Sequence, residues 1–161
     1  VGKREFMEPA AGMFVSSSYW SDNVGLTASI TTIRELKRRN SAQRFEEIGE
    51  GIRSALKAAL DDVGISGDVV GLFNAPAIEI DLPDESLRPK VKSLFIQEMA
   101  KRGVHTSGRF MGTLAHTEDD IRETADAARE SLKVVRNGLE GRLDDLLDAG
   151  VAQEAVRRIV R

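Results

Sequence analysis

The chain has 161 residues, of which 41% are hydrophobic and 30% charged, and its net charge at pH 7 is -3. This composition is ordinary for one globular domain, and the absence of cysteine excludes disulfides, thiolate metal sites and cysteine nucleophiles. Two histidines are too few for a histidine-rich metal site, so no metal is predicted, and the mixed charges and scarce aromatic residues argue against a nucleic-acid partner.

The first 23 residues predict a short helix followed by a polar loop. Lys3–Glu8 can form a helical turn that Pro9 ends. The run Ser16–Asn23 is rich in serine, aspartate and asparagine, whose side chains compete for backbone hydrogen bonds and favour a loop. Because this loop precedes a helix and offers hydroxyls and backbone amides, it is a candidate for binding an anion such as phosphate. A loop that only caps the helix is the alternative interpretation.

Two helices are predicted next. The apolar residues of 26–36 recur at helical spacing, and the cations of 37–39 suit a helix C-terminus. A second helix is predicted over Arg44–Val63, with Ser41 as its N-terminal cap and Gly64 as its C-terminal cap.

The middle of the chain predicts short strands around a helix. Asp68–Phe73 and Ala77–Leu82 have the composition of strands, and the second alternates strictly between apolar and polar residues. A helix is expected from about residue 87 to residue 102. Two further short strands are predicted at Val104–Thr106 and Met111–Leu114.

A long helix is predicted after Thr117, which can cap it together with Asp120. Asn137–Gly138 should end this helix, and the tail should form one or two short amphipathic helices. Short strands between long helices indicate an α+β fold in which a short antiparallel sheet is covered by helices.

Few residues suggest chemistry of their own. The chain lacks the nucleophile elbow, the phosphate-binding loop, the dinucleotide fingerprint and the zinc-protease motif. Four pairs of adjacent carboxylates, at 46–47, 61–62, 119–120 and 144–145, are expected to be solvated on helix surfaces. His116 is expected to form a local hydrogen bond near a helix start. Arg109 could bind a substrate carboxylate through its forked guanidinium, the alternative being an ordinary surface arginine.

Three stretches resemble the class III aminotransferases, in particular the branch of glutamate-1-semialdehyde aminomutase-like proteins. They are Phe14–Ile33, Leu94–Val104 and Leu114–Ile121, and the likeness extends over about residues 1–136. The resemblance implies fold type I of the pyridoxal-phosphate (PLP) enzymes. Residues 1–22 would then be the end of the cofactor-binding large domain with its phosphate loop, 23–136 the linking helix and C-terminal small domain, and 137–161 a helical tail.

The resemblance also implies roles for individual residues. Ser18 falls where the family has a threonine that reaches the phosphate of pyridoxal 5'-phosphate in the neighbouring subunit, and Tyr19 follows it. Trp20 and Ser21 replace two glycines of the family turn. The Schiff-base lysine of the family is expected upstream of this chain, so no catalytic residue is expected here and the chain alone should be inactive. The family further implies a homodimer with shared active sites.

These observations predict a C-terminal part of an aminotransferase or aminomutase that moves an amino group on a small amino or keto acid. Two alternatives stay open: a non-catalytic α+β module that binds a partner, and another fold type I activity such as decarboxylation. No apolar run spans a bilayer and no signal peptide is visible, so a cytoplasmic location without a membrane partner is expected.

Overall fold

The computed structural model describes residues 2–14, 17–19 and 22–152. The chain divides into two units, Val1–Asn40 and Ser41–Arg161. The described residues form six α-helices and one β-hairpin: α1 (Arg4–Met7), α2 (Asn23–Arg38), α3 (Ser41–Val63), β1 (Gly67–Leu72), β2 (Ala75–Ile80), α4 (Arg88–Lys101), α5 (Glu118–Leu139) and α6 (Leu143–Leu146).

The first unit consists of helices without a core of their own. The short α1 is continued by a 3-10 turn at Glu8–Gly12 that contains Pro9, and the predicted helical start is therefore confirmed. The helix predicted from the apolar residues of 26–36 is also confirmed as α2, which ends in the cations Lys37 and Arg38. None of the described residues of this unit is buried, and the apolar stripe of α2 is about half exposed.

The helix α3 opens the second unit and contributes more buried residues to its core than any other element. It begins at Ser41, three residues earlier than predicted, directly after Asn40, which has a φ of 47°. The predicted cap at Ser41 is wrong, because Ser41 is itself the first helical residue and its buried hydroxyl has no hydrogen-bond partner among the described residues. Ile48, Ile52 and Leu56 lie on its buried face.

The sheet is an antiparallel hairpin whose register pairs Gly67 with Ile80 and Leu72 with Ala75. Both of its predicted strands are confirmed to within two residues. The predicted strands Val104–Thr106 and Met111–Leu114 are wrong. Within the described residues, this region adds only an isolated bridge between Arg109 and Ala77.

The third strand fails to form for a local reason. The chain beside Ala77 is held as a turn, because the Thr106 hydroxyl donates to the Arg109 carbonyl at 2.9 Å and accepts from the Gly108 amide at 3.0 Å. Gly108 has a φ of 94°, which directs the chain away from β2. Pro76 offers no N–H, so a ladder on this side of β2 would also lack a donor.

The long helix α5 begins as predicted. Thr117 and Asp120 form a capping box in which the Thr117 amide donates to the Asp120 carboxylate at 2.7 Å and the Asp120 amide donates to the Thr117 hydroxyl at 3.3 Å. In the tail, α6 supplies one of the predicted short helices, and residues 153–161 lie outside the described residues.

The core of the second unit lies between the hairpin and the helices. The helix α3 packs against α5 and against both strands, while α4 packs against α5 and α6. Apolar side chains from every one of these elements meet in a single cluster. The predicted α+β class, a short antiparallel sheet covered by helices, is therefore confirmed.

Candidate functional site

The predicted phosphate-binding residues lie between α1 and α2. Ser18 is exposed and its hydroxyl has no hydrogen-bond partner among the described residues, while 81% of Tyr19 is exposed. The Tyr19 amide donates to the Ser17 hydroxyl at 3.5 Å. Trp20 and Ser21, which replace the glycines of the family turn, lie outside the described residues.

The start of α2 is less open to an anion than the sequence predicts. The Asp22 carboxylate accepts hydrogen bonds from the amides of Val24 and Gly25, each at 3.2 Å. These amides are among the groups that would otherwise be turned toward a phosphate. The capping alternative is therefore what the structure has at this helix end.

Arg109 lies in the second unit, directly after the Gly108 turn. Its side chain is exposed and forms no ion pair with a described residue. It lines a cleft of about 390 Å³ between β2 and α4. Lys92 and Arg88 of α4 line the same cleft, and so does Glu79 of β2.

The cations of this cleft are not equivalent. Arg88 is held by Glu85 through two hydrogen bonds of 2.6 Å each, and this pairing raises the pKa of Arg88 above its ordinary value. Lys92 and Arg109, by contrast, pair with no described residue. The cleft thus presents two uncommitted positive charges above an apolar wall that includes Val91 and Phe95.

Other candidates have structural explanations. The four carboxylate pairs are exposed, as predicted. The Thr113 amide donates a hydrogen bond to Nδ1 of His116 at 2.9 Å, which confirms the local hydrogen bond predicted for this histidine. Across the described part of the chain, no three side chains of the metal-ligating types come together. In that same part, no helix is long and apolar enough to cross a membrane.

Sequence reasoning missed Lys92 and the cleft. The one available signal was the i,i+4 spacing of Arg88 and Lys92 on the predicted helix, which places both cations on one side of it. That spacing does not predict what lies opposite the helix across the cleft, because the opposite wall is formed by β2 and by the turn at 107–109.

Comparison with known proteins gives the family context. The chain is 25% identical over 142 residues to a 3-aminobutyryl-CoA aminotransferase of Cloacimonas acidaminovorans, which covers 86% of this chain. It is 30% identical over 148 residues to a glutamate-1-semialdehyde 2,1-aminomutase of Akkermansia muciniphila, which covers 81% of it. No protein-family model matches the chain.

Solved structures agree with these relatives. A structure of the FumI protein of a Sphingopyxis species, in its PLP internal aldimine form, aligns with 87% of this chain at a TM-score of 0.75 and 22% identity. A transaminase with PLP bound aligns with 86% at a TM-score of 0.72 and 25% identity.

The chain is a relative of the PLP-dependent aminotransferases and aminomutases, and its fold is that of their C-terminal part. The resemblance predicted from three sequence stretches is thereby confirmed. This aminotransferase-like chain spans 34% of the length of both relatives and about the same share of the two structures.

Proposed function

We propose that this chain is the C-terminal part of a PLP-dependent enzyme that moves an amino group on a small amino or keto acid. The observation that carries the proposal is that 81% to 87% of the chain aligns with about one third of the length of each of these aminotransferases and aminomutases. The substrate and the choice between transamination and amino-group migration within one molecule belong to the proposal.

Ser18 and Tyr19 are the proposed cofactor contacts of this chain. The unpartnered Ser18 hydroxyl can donate to a phosphate oxygen, and such charge-assisted hydrogen bonds are among the stronger ones in proteins. Exposed Tyr19 adds a polar ring beside it. Asp22 restricts where the phosphate can lie, because its negatively charged carboxylate already accepts the hydrogen bonds of the Val24 and Gly25 amides of α2. When bound, PLP supplies an electron sink for the reaction, while the protein orients it.

The Schiff-base lysine is proposed to come from a part of the enzyme that precedes this chain. A lysine nucleophile needs a lowered pKa, which burial or a neighbouring cation provides. None of the seven lysines of this chain is buried. Hydrogen bonds to Asp148 and Glu98 raise the pKa of Lys101, which is the opposite of what catalysis requires.

Arg109 is the proposed contact for a substrate carboxylate. Its guanidinium is exposed at a cleft and pairs with no described residue, so it is available for bidentate binding. The measurement is the KM of carboxylate substrates in the intact enzyme. Arg109→Ala should raise that KM, and an unchanged KM would remove Arg109 from the site.

The homodimer is also part of the proposal. The exposed apolar face of α2 and exposed Tyr19 support an interface in this region, since exposed apolar residues in groups mark contact surfaces. In such an arrangement Ser18 would serve the cofactor of the partner subunit.

The test uses the protein that contains this chain together with its preceding region. We expect PLP-dependent visible absorption and amino transfer from at least one amine donor. Ser18→Ala should weaken PLP affinity by about tenfold because it removes a charge-assisted hydrogen bond. Ser18→Thr keeps the hydroxyl and should bind PLP normally, and Ser54→Ala, at an exposed position of α3, is the matched control. No PLP absorption and no amino transfer would refute the proposal and favour a non-catalytic binding module.

A further inference from the structure

The turn that precedes α5 is closed by an imidazole ring. The His116 amide donates to the Thr113 carbonyl at 3.1 Å, and the Thr113 amide donates to Nδ1 of the His116 ring at 2.9 Å. Because Nδ1 accepts a hydrogen bond, the neutral ring carries its proton on Nε2. The turn therefore depends on one backbone bond and on one ring nitrogen that must stay unprotonated.

Both ends of this turn are fixed by separate contacts. On one side, buried Gly112 donates its amide to the Asn74 carbonyl at 3.2 Å. On the other side, the capping box at Thr117 fixes the start of α5. None of residues 113–116 is itself buried. These four residues can thus rearrange between two fixed points without disturbing the core.

The surroundings of the ring offer a second partner, the Asp120 carboxylate. His116 and Asp120 line the same small cavity of about 100 Å³. Hydrogen bonds from Thr117 are the main reason why the pKa of Asp120 lies below its ordinary value, and a positive charge on His116 lowers it further. The bonds from Thr117 go to Oδ2, while Oδ1 accepts none from a described residue. One carboxylate oxygen is therefore available to a protonated ring.

The other charges around this cavity repel a protonated ring. Among the described residues that line it, the titratable side chains besides His116 and Asp120 are those of His105 and Arg109. The Arg109 guanidinium opposes a second positive charge, and so does His105 when it is protonated. Helix α3 contributes only Ile52, which is apolar. A protonated His116 is therefore favoured on the side of Asp120.

Protonation of His116 is incompatible with the closed turn. The proton must go to Nδ1, because Nε2 already carries one, and a protonated Nδ1 cannot accept the Thr113 amide. The Thr113 hydroxyl lies 3.2 Å from Nδ1 and can accept from it, so the amide is the group that loses its partner. The closed turn binds one proton fewer than the open turn. It is therefore favoured at high pH and lost as the pH falls.

We propose that residues 113–116 form a pH-sensitive switch, which neutral His116 closes through the Thr113 amide and which opens when protonated His116 turns to Asp120. An imidazole gains its proton around pH 6.5, so the change should occur between about pH 7.5 and about pH 5.5. Arg109 lines the same cavity, so the switch changes the charge beside it. This inference does not depend on the proposed enzymatic function, because it uses neither Ser18 nor a cofactor.

The test is NMR spectroscopy of the 15N-labelled 161-residue chain at about pH 7.5 and about pH 5.5. At the higher pH, the His116 ring should be in the Nε2–H form and the Thr113 amide should be protected from hydrogen exchange. At the lower pH, the protection of Thr113 relative to an unstructured peptide should fall by about tenfold, since one ordinary hydrogen bond is lost. Amides in the middle of α5 should keep their protection, because the core stays folded.

Two substitutions separate the acceptor from its titration. His116→Asn keeps a side-chain oxygen close to the position of Nδ1 but does not titrate, so Thr113 should stay protected at both pH values. His116→Ala removes the acceptor, so Thr113 should be unprotected at both. His105→Ala, at the same cavity, is the matched control and should retain the change between the two pH values.

Three results would overturn the inference. The first is equal protection of Thr113 at both pH values in the unaltered chain. The second is a pH-dependent change that persists in His116→Asn, which would assign the titration to another group. The third is a parallel loss of protection in the middle of α5, which would mean that acid loosens the whole core and not this turn.

Discussion

At the scale of single residues, Glu98 is the one charged residue that is buried among those the structure describes. It is buried, with 6% of its surface exposed, and it accepts hydrogen bonds from Lys101 at 2.8 Å and from Arg102 at 2.7 Å. Burial by itself would raise the pKa of Glu98, but the hydrogen bonds from Lys101, Arg102 and Gln97 outweigh it and lower the pKa to about 2. The carboxylate is thus more stable in the folded protein than in the unfolded chain.

Replacing Glu98 should destabilise the protein and reduce its sensitivity to acid. A carboxyl whose pKa is lowered by folding stabilises the protein above its ordinary pKa of 4.5, and this stabilisation is lost as the pH falls toward 2. Glu98→Gln should therefore cost about 1 to 2 kcal/mol at pH 7 and less at pH 3. Urea unfolding of both proteins at the two pH values measures this.

The matched control for Glu98 is Glu130 on α5. Glu130 forms the same kind of i,i+3 pair with Lys133, but about half of each side chain is exposed. Exposed pairs contribute little, so Glu130→Gln should leave the unfolding free energy nearly unchanged. An equal loss in both variants would show that charge, and not burial with its hydrogen bonds, explains the effect.

At the scale of elements, the packing of α3 on the hairpin depends on one glycine. A Cβ at Gly49 would lie 1.8 Å from the carbonyl oxygen of Phe73 in the hairpin turn. A backbone atom cannot move aside without displacing the turn. Gly51, two residues further along the same helix, would bring its Cβ only to 3.2 Å from the end of the Ile121 side chain.

These two glycines predict opposite effects of the same substitution. Both variants gain about 1 kcal/mol of helix propensity when alanine replaces glycine. Gly49→Ala should nevertheless lower the free energy of unfolding by about 2 kcal/mol or more, because the hairpin must shift. Gly51→Ala should be neutral or slightly stabilising, since the Ile121 side chain can rotate. Chemical denaturation measures both, and a stable Gly49→Ala protein would contradict the close packing of α3 on this turn.

The elements also show how far sequence reasoning reaches. The helices and the capping box at Thr117 follow from local spacing, so they were predictable to within a few residues. The strands expected at 104–106 and 111–114 were not, because the Thr106 side chain and the turn at Gly108 hold this region in another conformation. The cleft was equally out of reach, since its walls come from segments far apart in the chain.

The candidate site was predictable only through family resemblance. Composition gave Ser18 no advantage over its neighbouring serines, and the resemblance selected it. The resemblance could not foresee that Asp22 would occupy the first amides of α2, because that depends on a side-chain rotamer. Ser18, Tyr19 and Arg109 therefore remain predictions.

At the scale of the whole molecule, the two units differ in their internal packing. The second unit has a continuous apolar core built from α3, the hairpin, α4 and α5. None of the described residues of the first unit is buried. Even its large apolar side chains are open to solvent: 75% of Phe6 and 97% of Phe14 are exposed, and the apolar stripe of α2 is about half exposed. A helix of 16 residues without tertiary packing is only marginally stable in water.

Hydrogen exchange should therefore separate the two units in the 161-residue chain. The amides of α2 are expected to exchange close to the rates of a free peptide, because no buried side chains oppose the opening of the helix. The amides in the middle of α3 should exchange at least about 1,000-fold more slowly, since they open only when the core unfolds. Mass spectrometry of peptides from both helices, at two protein concentrations, gives this comparison. Slow exchange of α2 that is independent of concentration would contradict the expectation, whereas slow exchange that appears only at high concentration would mean that a second copy covers its apolar face.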